Sequence, residues 1–437
     1  MLNLPEKLKI LEKEGRKIRV GVVGAGQMGS GLVNLISRMK GMEVVALAEI
    51  EVERAISTFE AAGAKRKEIL ISHDSSQCDE ALEDGRKVVT GEARILPHLS
   101  FIDVIVEATG VPETGARIAF EAINNKKDVV MMNIEADVTV GPLLAKLARG
   151  RGVVYTVGAG DEPSAIKELY DFATSLEFKI VAAGKGKNNP LDREATPQSL
   201  QKIASSKGMN PRMLTEFVDG SKTMIEMTAL ANATGLVPDV RGMHGPECSV
   251  ESLSSVFTLK EKGGILSQDG VVDYALGDIA PGVFVVVSTD SPQLKKDMNY
   301  LKMGSGPNYL LYRPYHLASI EVPLSIARAI LYREPTLSAK SSVAAEAITV
   351  AKRDLRRGEK LDGIGGYTIY GSIEKRSVAK KENLLPLGLA QGAIMKEDVS
   401  KNECITYDDV ELDSSSFLLN LRKIQDEIIG GGREYGA

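Results

Sequence analysis

The sequence contains no tryptophan, few aromatic residues of any kind, and only three cysteines. Aromatic residues make up 5% of its 437 residues, and Cys78, Cys248 and Cys404 show no CxxC spacing. This composition excludes a disulfide framework and a structural zinc site, and it offers few rings for stacking on nucleic-acid bases. The net charge of −5 also lacks the basic excess that phosphate neutralisation requires. We therefore expect a reduced, cytoplasmic protein that binds no nucleic acid.

Long apolar runs are also missing. No segment approaches the roughly 18 apolar residues that cross a bilayer, and the first residues lack the apolar core of a signal peptide. We therefore expect no membrane partner. Residues 5–15 predict a short amphipathic helix instead. The apolar fraction of 43% and the charged fraction of 26% are typical of a globular chain.

Short Val/Ile runs alternate with helical stretches over the first 160 residues. The predicted strands there are Ile18–Val23, Glu43–Ala48, Glu68–Ile71, Val104–Glu107, Asp128–Asn133 and Val153–Val157. Such alternation predicts the α/β fold class, with a Rossmann-type doubly wound parallel sheet. The predicted domains are a dinucleotide-binding domain (1–160), an α+β substrate domain (161–341) and a small β-rich domain that ends in a helix (342–437).

A glycine-rich turn follows the first predicted strand. Gly24, Gly26 and Gly29 form a GxGxxG pattern between that strand and a helical pattern. In this context the first glycine permits a tight turn, the second lets the backbone approach a pyrophosphate, and the third allows close helix packing. The free N–H groups at the helix start, with Gln27 and Met28, would hold the phosphates. We predict a bound dinucleotide; the alternative is a glycine-rich turn without a ligand.

The second predicted strand ends in charged residues. Glu49 would bond the ribose hydroxyls, as acidic residues do in NAD sites, whereas Arg54 would suit the 2′-phosphate of NADP. The choice between NAD and NADP stays open on these residues. The alternative is that both side chains are solvated charges on the surface.

Two later strands also end in residues suited to the cofactor. Thr109 and Gly110 are small enough for the dinucleotide to lie across the strand ends, although an ordinary turn would look the same. Asn133 and Glu135 follow the next strand, and we expect them near the nicotinamide. Helix capping by Asp137 is the alternative there.

The densest polar stretch is a predicted loop, Gly184–Pro197. Its candidate residues are Lys185, Lys187, Asn188, Asn189 and Arg193. Two ammonium groups, two amides and a guanidinium suit an anionic or polyhydroxylated small-molecule substrate. A desolvated lysine there would also polarise a carbonyl or move a proton. A solvated surface loop is the alternative.

A second cluster has helical spacing. Asp219, Lys222 and Glu226 fall at i, i+3 and i+7, which predicts one face of a helix and suits acid–base work. Plain helix-start chemistry is the alternative, because Thr223 and Glu226 have capping-box spacing. Arg241 and His244 stand further on in a Gly/Pro-rich loop and are substrate-binding candidates. For His244 the alternative is a hydrogen-bonded structural histidine.

Several stretches carry a resemblance to a known family. They are VGVVGAGQMG, VEATG, MMNIEADVTVGP, AGKGKNNPLDREATP and FVDGSKTMIEMTALANATGLVPDVRGMHGP. The chain resembles the homoserine-dehydrogenase-like oxidoreductases that end in a SAF domain, and VAKRDLRRGEKLDGIGGYTIYG with LPLGLAQGAIMKEDV is similar to the SAF part. Within that group it is similar to the DXR-like type. Homoserine dehydrogenases carry Asn-Lys after the fifth strand, where this chain has Asn133-Ile134-Glu135, which argues against plain homoserine oxidation.

The resemblance implies an enzyme that uses NAD or NADP on CH–OH groups. It implies the conversion of 1-deoxy-D-xylulose 5-phosphate to 2-C-methyl-D-erythritol 4-phosphate, a step of isoprenoid precursor synthesis. A divalent cation, Mg²⁺ or Mn²⁺, would lie across vicinal substrate oxygens, and we expect a homo-oligomer. Lys187, with Lys185 near it, would polarise the oxygen, and Asp219 or Glu226 would handle protons. A dehydrogenase of a homoserine-like alcohol, polyol or sugar acid is one alternative, and a non-catalytic NAD(P)-sensing protein is another.

Overall fold

The computed structural model describes residues 3–429 of the chain. The chain forms two compact units, Met1–Asp161 with Leu317–Ser338, and Glu162–His316 with Ala339–Ala437. It therefore leaves the first unit, forms much of the second, and then returns to the first for one short stretch. The three consecutive domains stay a prediction, and their terminal residues 1, 2 and 430–437 lie outside the described part.

The strands and helices are numbered in chain order over the described residues. The strands are β1 (Ile18–Val23), β2 (Met42–Ala48), β3 (Ile69–Ile71), β4 (Lys87–Thr90), β5 (Val104–Glu107), β6 (Asp128–Met131), β7 (Tyr155–Val157), β8 (Lys179–Gly186), β9 (Val237–Pro238), β10 (Val271–Ala275), β11 (Val283–Ser288), β12 (Asn308–Arg313), β13 (Ala345–Ala351), β14 (Ile369–Lys375), β15 (Ile394–Met395) and β16 (Val410–Glu411). The helices are α1 (Leu4–Lys13), α2 (Gln27–Ile36), α3 (Val52–Ala61), α4 (Ser75–Glu83), α5 (Pro112–Asn124), α6 (Ile134–Arg151), α7 (Glu162–Ser175), α8 (Gln201–Ser206), α9 (Pro211–Val218), α10 (Ser221–Thr234), α11 (Leu253–Val256), α12 (Pro292–Tyr300), α13 (Ala318–Tyr332), α14 (Arg376–Lys381) and α15 (Phe417–Ile428).

A parallel sheet of seven strands forms the centre of the first unit. Its order is β3-β4-β2-β1-β5-β6-β7, and every neighbouring pair is parallel. The α/β fold class is therefore confirmed. The strands β1 and β5 have the predicted bounds, whereas β4 was not predicted because its four residues carry little periodicity.

Apolar side chains on both faces of this sheet explain why it is buried. Val20 and Val22 of β1 and Val106 of β5 are inaccessible to solvent, as expected for parallel strands that helices cover on both sides. The same core cluster contains Leu32 of α2 and Ile326 of α13. The returning segment is therefore an integral part of the first unit, because α13 supplies side chains to its core.

A mixed sheet of five strands organises the second unit. Its order is β12-β11-β8-β10-β9, with β8, β9 and β10 parallel and β11 antiparallel to its neighbours. The helix α10 is buried on all sides except at Lys222, so its side chains are packed between neighbouring elements. The antiparallel pair β13–β14 lies against α10, and β15–β16 form a second small pair.

Two predicted positions in the second unit are wrong. The strand β8 continues to Gly186, so Lys185 lies in a strand and not in the predicted loop. Asp219 directly follows α9 and precedes α10, which begins at Ser221, so it does not share a helix with Glu226. Gly220, in a left-handed conformation, separates Asp219 from the start of α10.

None of the helices between residues 3 and 429 is both long enough and apolar enough to span a bilayer. The three cysteines are unpaired.

Thr156 of β7 joins the returning segment to the sheet of the first unit. Its hydroxyl oxygen accepts hydrogen bonds from the N–H groups of Thr336 (2.9 Å) and Leu337 (3.1 Å) and is fully buried. We expect Thr156→Val to lower the free energy of unfolding by about 2–4 kcal/mol, because two buried N–H groups lose their acceptor.

Chemical denaturation measures this loss. Thr58→Val is the matched control in the same unit, since the Thr58 hydroxyl donates one bond to the carbonyl of Arg54 in its own helix. It should cost about 1 kcal/mol or less. Equal losses in the two variants would contradict the proposed function of Thr156.

Candidate active site

The glycine-rich turn adopts the geometry that its sequence predicts. Gly24 has a φ of +100°, and a Cβ built on it would lie 2.8 Å from the carbonyl oxygen of Ala108. A Cβ on Gly29 would lie 2.0 Å from the carbonyl oxygen of Gly24, so only glycine lets α2 approach the turn. A Cβ on Gly26 would meet nothing within 4 Å. The backbone at Gly26 therefore borders open space beside the start of α2, a fit for a pyrophosphate.

The carboxylate of Glu49 lies beside this turn. It accepts a hydrogen bond from the N–H of Ala25 at 2.8 Å and another from the N–H of Glu51 at 3.2 Å. Its position at the end of β2 is the one that a ribose-binding acid needs. Arg54 pairs with Glu51 at 2.6 Å, and both side chains are exposed. The role of Glu49 and Arg54 in choosing NAD or NADP stays a prediction.

The loop after β5 adjoins the glycine-rich turn. The N–H of Ala108 donates to the carbonyl of Val23 at 2.8 Å, and this contact places Thr109 and Gly110 next to Gly24. The sheet order explains the contact, because β5 is the neighbour of β1. Residues 85 positions apart in the chain, 24 and 109, thus meet at one edge of the sheet, where dinucleotides bind in such folds.

Asn133 and Glu135 lie at the start of α6 and are buried. The Asn133 side chain caps the helix by accepting from the N–H of Ala136 at 3.1 Å, and it donates to the carbonyl of Val111 at 2.9 Å. The helix cap is therefore Asn133 and not Asp137, which lies within α6. Asn133 also joins α6 to the loop after β5. The proximity of Asn133 and Glu135 to the nicotinamide stays a prediction.

Sequence reasoning assigned no role to Glu107, the last residue of β5. One of its carboxyl oxygens accepts from the N–H of Thr109 at 3.0 Å and from its hydroxyl, while the other has no hydrogen-bond partner among the described residues. Burial raises the pKa of Glu107 to about 7. The residue fixes the loop beside the glycine-rich turn, and only the fold reveals its burial.

Lys185, in β8, lies between two acidic side chains of the second unit. Its ammonium donates to Glu162 of α7 at 2.5 Å and to Glu226 of α10, and all three side chains are buried or nearly so. Burial opposes the charge, but the two carboxylates outweigh it and raise the pKa of Lys185 above its ordinary value. Lys185 therefore stays protonated and is unsuited to proton transfer. Glu226 serves as its counter-ion and does not close the predicted capping box.

Lys187 follows on the same side of the extended chain, two residues later. Its amine is buried and donates to two backbone carbonyls, those of Asn189 at 2.9 Å and Phe217 at 2.6 Å. Burial, followed by the charge of Lys185, lowers the pKa of Lys187 to about 8. It is therefore a lysine that gains and loses a proton near neutral pH.

Asp219 is an ion-paired residue in the second unit. It is almost completely buried and accepts from the ammonium of Lys352 at 2.9 Å and from the N–H of Ser221 at 2.9 Å. Burial raises the pKa of its carboxyl. Lys222 is the partly exposed residue of α10, one turn before the buried Glu226.

The remaining predicted substrate residues differ in their surroundings. Asn188 and Arg193 are exposed, Asn189 is half-buried, and the Arg193 guanidinium lies 5.5 Å from the ring centre of Tyr370. Arg241 donates to two carboxylates, those of Glu374 (2.7 Å) and Glu382 (2.5 Å). The exposed residues suit a binding role, whereas the two ion pairs of Arg241 favour a structural one.

His244 is held by two aspartates. Its Nδ1 lies 2.8 Å from the buried carboxylate of Asp273, which also accepts from the His244 N–H, and its Nε2 lies 3.5 Å from Asp239. The hydrogen bond to Asp273 raises the pKa of His244. The structural alternative considered for this histidine accounts for all of these contacts.

His316 received no role from the sequence. In the structure its Nε2 lies 3.4 Å from the Glu162 carboxylate that also binds Lys185. The two residues are far apart in the chain, at 162 and 316, so no spacing signal connects them. Together with Lys185 and Glu226 they form a linked set of charged and titratable groups.

The resemblance implies a divalent cation, for which oxygen ligands are required. Glu162 and Glu226 both bind the Lys185 ammonium, whose single positive charge offsets only one of the two carboxylates. Their oxygens belong to a group of acidic side chains that could hold a metal ion, but both already accept from Lys185, and we assign no chemical step to a metal.

Two family models match consecutive parts of the chain. Residues 24–158 match the homoserine dehydrogenase NAD-binding domain, which includes the glycine-rich turn and Glu49. Residues 160–322 match the catalytic domain of oxidoreductase DRL, which includes Lys185 and Lys187. The chain is an NAD(P)-dependent oxidoreductase. No curated protein sequence matches it.

Solved structures resemble this oxidoreductase only distantly. A hyperthermophilic archaeal homoserine dehydrogenase in complex with NADPH is 12% identical, with a TM-score of 0.42, and the match covers 72% of this chain and 98% of that one. A scyllo-inositol dehydrogenase from Lactobacillus casei is 13% identical with a TM-score of 0.39, covering 73% and 91%. The 1-deoxy-D-xylulose 5-phosphate reductoisomerase from Zymomonas mobilis is 20% identical with a TM-score of 0.33, covering 48% and 58%. These similarities do not identify a substrate.

The glycine-rich turn allows a matched pair of variants that separate cofactor binding from folding. Gly26→Ala has room within the protein, so we expect an unchanged Tm but an affinity for NADH or NADPH at least about tenfold weaker, because the new Cβ occupies the space of the pyrophosphate. Calorimetry measures the affinity.

Gly29→Ala should lower both the Tm and the affinity, since its Cβ collides with the backbone of Gly24. Unchanged affinity in Gly26→Ala for both cofactors would show that the phosphates bind elsewhere.

Proposed function

We propose that this oxidoreductase reduces a carbonyl group of a hydroxylated, anionic substrate, and that Lys187 donates the proton. The supporting observation is the buried Lys187 amine, whose pKa of about 8 lies near the operating pH that general acid catalysis favours. Two of its N–H bonds hold backbone carbonyls. An ammonium has three, so one is available for a substrate oxygen.

The chain's own residues divide the chemistry between them. NAD(P)H, when bound by the first unit, supplies the hydride. As the carbonyl carbon receives the hydride, the Lys187 ammonium gives its proton to the oxygen, which becomes a hydroxyl. The neighbouring Lys185, permanently charged by its pairing with Glu162 and Glu226, adds positive potential for the negative charge that develops on the oxygen.

The substrate class follows from the polar groups after β8. Arg193 and Lys222 supply positive charge for an anionic group such as a phosphate, and Asn188 and Asn189 supply amides for hydroxyls. We propose 1-deoxy-D-xylulose 5-phosphate as the substrate, and an isomeric branched aldehyde as the carbonyl compound that is reduced. The family resemblance and the match to the DRL catalytic domain support this choice.

A simple dehydrogenase of a polyol, sugar acid or homoserine-like alcohol would use the same lysine without rearranging the carbon skeleton. We also propose a cytoplasmic location, a homo-oligomer and a SAF-like fold for the C-terminal part. A sensing protein would bind NAD(P) without turnover.

Lys187 should give the reaction a defined pH dependence. Because the protonated amine donates in the direction of reduction, we expect kcat to be high below pH 8 and to fall as the pH rises through about 8. Lys187→Met should lower kcat by about 10²–10⁴-fold while the affinity for NADPH stays unchanged.

Steady-state kinetics over pH measure this effect. Lys207→Met, at an exposed lysine just after α8, is the control. A pH profile of Lys187→Met that keeps the same fall near pH 8 would rule out this lysine as the proton donor.

Product analysis distinguishes the candidate reactions. With 1-deoxy-D-xylulose 5-phosphate and NADPH we expect a branched polyol phosphate, which NMR identifies by its new carbon–carbon connectivity. An unbranched product, or oxidation of a polyol with NAD or NADP, would favour the dehydrogenase. Cofactor binding without turnover of any of these substrates would contradict an enzymatic function.

A further inference from the structure

Lys352, in the C-terminal part of the second unit, is a buried lysine that has no role in the proposed reaction so far described. It directly follows β13, and only 4% of the residue is exposed. Its ammonium donates three hydrogen bonds, to the Asp219 carboxylate, to the carbonyl of Ala195 and to the carbonyl of Gly366, each at 2.8–2.9 Å. All three donors of the ammonium are therefore satisfied.

The first two of these bonds join the same two segments that hold Lys187. Lys187 bonds to Asn189 in one segment and to Phe217 in the other. Lys352 bonds to Ala195 and Asp219, further along each segment.

A backbone bond connects the segments between these two lysines. The N–H of Asp192 donates to the carbonyl of Val218 at 3.0 Å. Three successive connections thus join segments 189–195 and 217–219: the bonds of Lys187, this backbone bond, and the bonds of Lys352. Lys187 forms one end of this arrangement and Lys352 the other.

We infer that Lys352 is a positioning residue, which holds the Lys187 amine in place by fixing the two segments to which that amine is bonded. The inference rests on the proposed proton-donor role of Lys187. The third bond of Lys352, to the carbonyl of Gly366, connects these two segments to the C-terminal part of the chain. That part therefore contributes directly to the proposed substrate-binding side of the second unit.

A second lysine provides a matched comparison. Lys401 also joins the C-terminal part to the first segment, by an ion pair with Glu194, but both side chains are exposed. Exposed pairs contribute little, whereas breaking a buried pair leaves an uncompensated charge. The two lysines thus connect the same parts of the chain but differ in burial.

The test compares Lys352→Met with Lys401→Met in the full-length protein. The main measurement needs no substrate: the rate of reductive methylation of Lys187 is followed against pH by peptide mass spectrometry, and its midpoint reports the pKa of that amine. In Lys352→Met we expect the segments to loosen and water to reach the amine, so that the midpoint rises from near 8 by about one unit or more toward the ordinary lysine value. In Lys401→Met it should stay in place.

Kinetics give the second measurement. With the carbonyl substrate, Lys352→Met should lower kcat about tenfold or more, because a small displacement of a proton donor is costly, while the affinity for NADPH and the KM for NADPH stay unchanged. Lys401→Met should match the wild type. Equal midpoints in Lys352→Met and the wild type would overturn the inference.

Two further variants test the same inference if Lys352→Met does not fold. Asp219→Asn combined with Lys352→Met removes both buried charges. Because the Asp219 carboxylate itself raises the pKa of Lys187, the double variant is compared with Asp219→Asn alone, and its midpoint should be higher because the bond to Ala195 is lost. Equal midpoints in these two variants would show that Lys352 only neutralises Asp219, which overturns the positioning role. Lys352→Arg keeps the charge, but its planar fork does not reproduce three bonds from one nitrogen, so an intermediate rise is expected.

The two proposals fail in distinguishable ways. If the wild type reduces no carbonyl substrate, the proposed function fails, and the methylation midpoints still report whether Lys352 controls the amine. If Lys187→Met is inactive while Lys352→Met keeps both the wild-type midpoint and kcat, only the positioning role fails.

Discussion

Two lysine side chains lie on the same side of the chain at the end of β8, and of these two only Lys185 is hydrogen-bonded to carboxylates. Glu162 and Glu226 enclose Lys185 and keep it charged. Lys187, two residues on, is bonded to neutral carbonyls and lies within the field of that fixed charge, which helps to lower its pKa to about 8. Lys185 is thus held in its charged form, whereas the pKa of Lys187 lies near neutral pH.

In the first unit, backbone groups and close packing are the main features of the candidate cofactor site. Its glycine-rich turn presents backbone to open space, and the approach of α2 depends on the missing side chain at Gly29. Glu107 and Asn133 fix the loops on the neighbouring strands by hydrogen bonds to backbone groups. Close packing and backbone hydrogen bonds thus shape the glycine-rich turn and its neighbouring loops, whereas paired charges surround Lys185 in the second unit.

Local patterns in the sequence predict the first unit well. The bounds of β1 and β5, the parallel sheet and the glycine-rich turn follow from Val/Ile runs and glycine spacing, because each signal lies within about ten residues. The surroundings of Lys185 and Lys187 do not follow in this way. Glu162, Glu226 and Lys352 reach them from distant parts of the chain, and only the folded sheet brings these residues together. The placement of Asp219 on the same helix face as Glu226 was wrong, because the left-handed Gly220 separates Asp219 from α10.

The discontinuous first unit has a consequence for biosynthesis. Its parallel sheet leaves the ribosome early, but Val322 and Ile326 of α13, which complete its apolar core, are translated only after residues 162–316. Until then the nascent chain exposes the surface that α13 later covers. The order of translation therefore places the completion of the first unit after synthesis of the lysine-bearing strand β8, and before synthesis of the C-terminal part of the second unit.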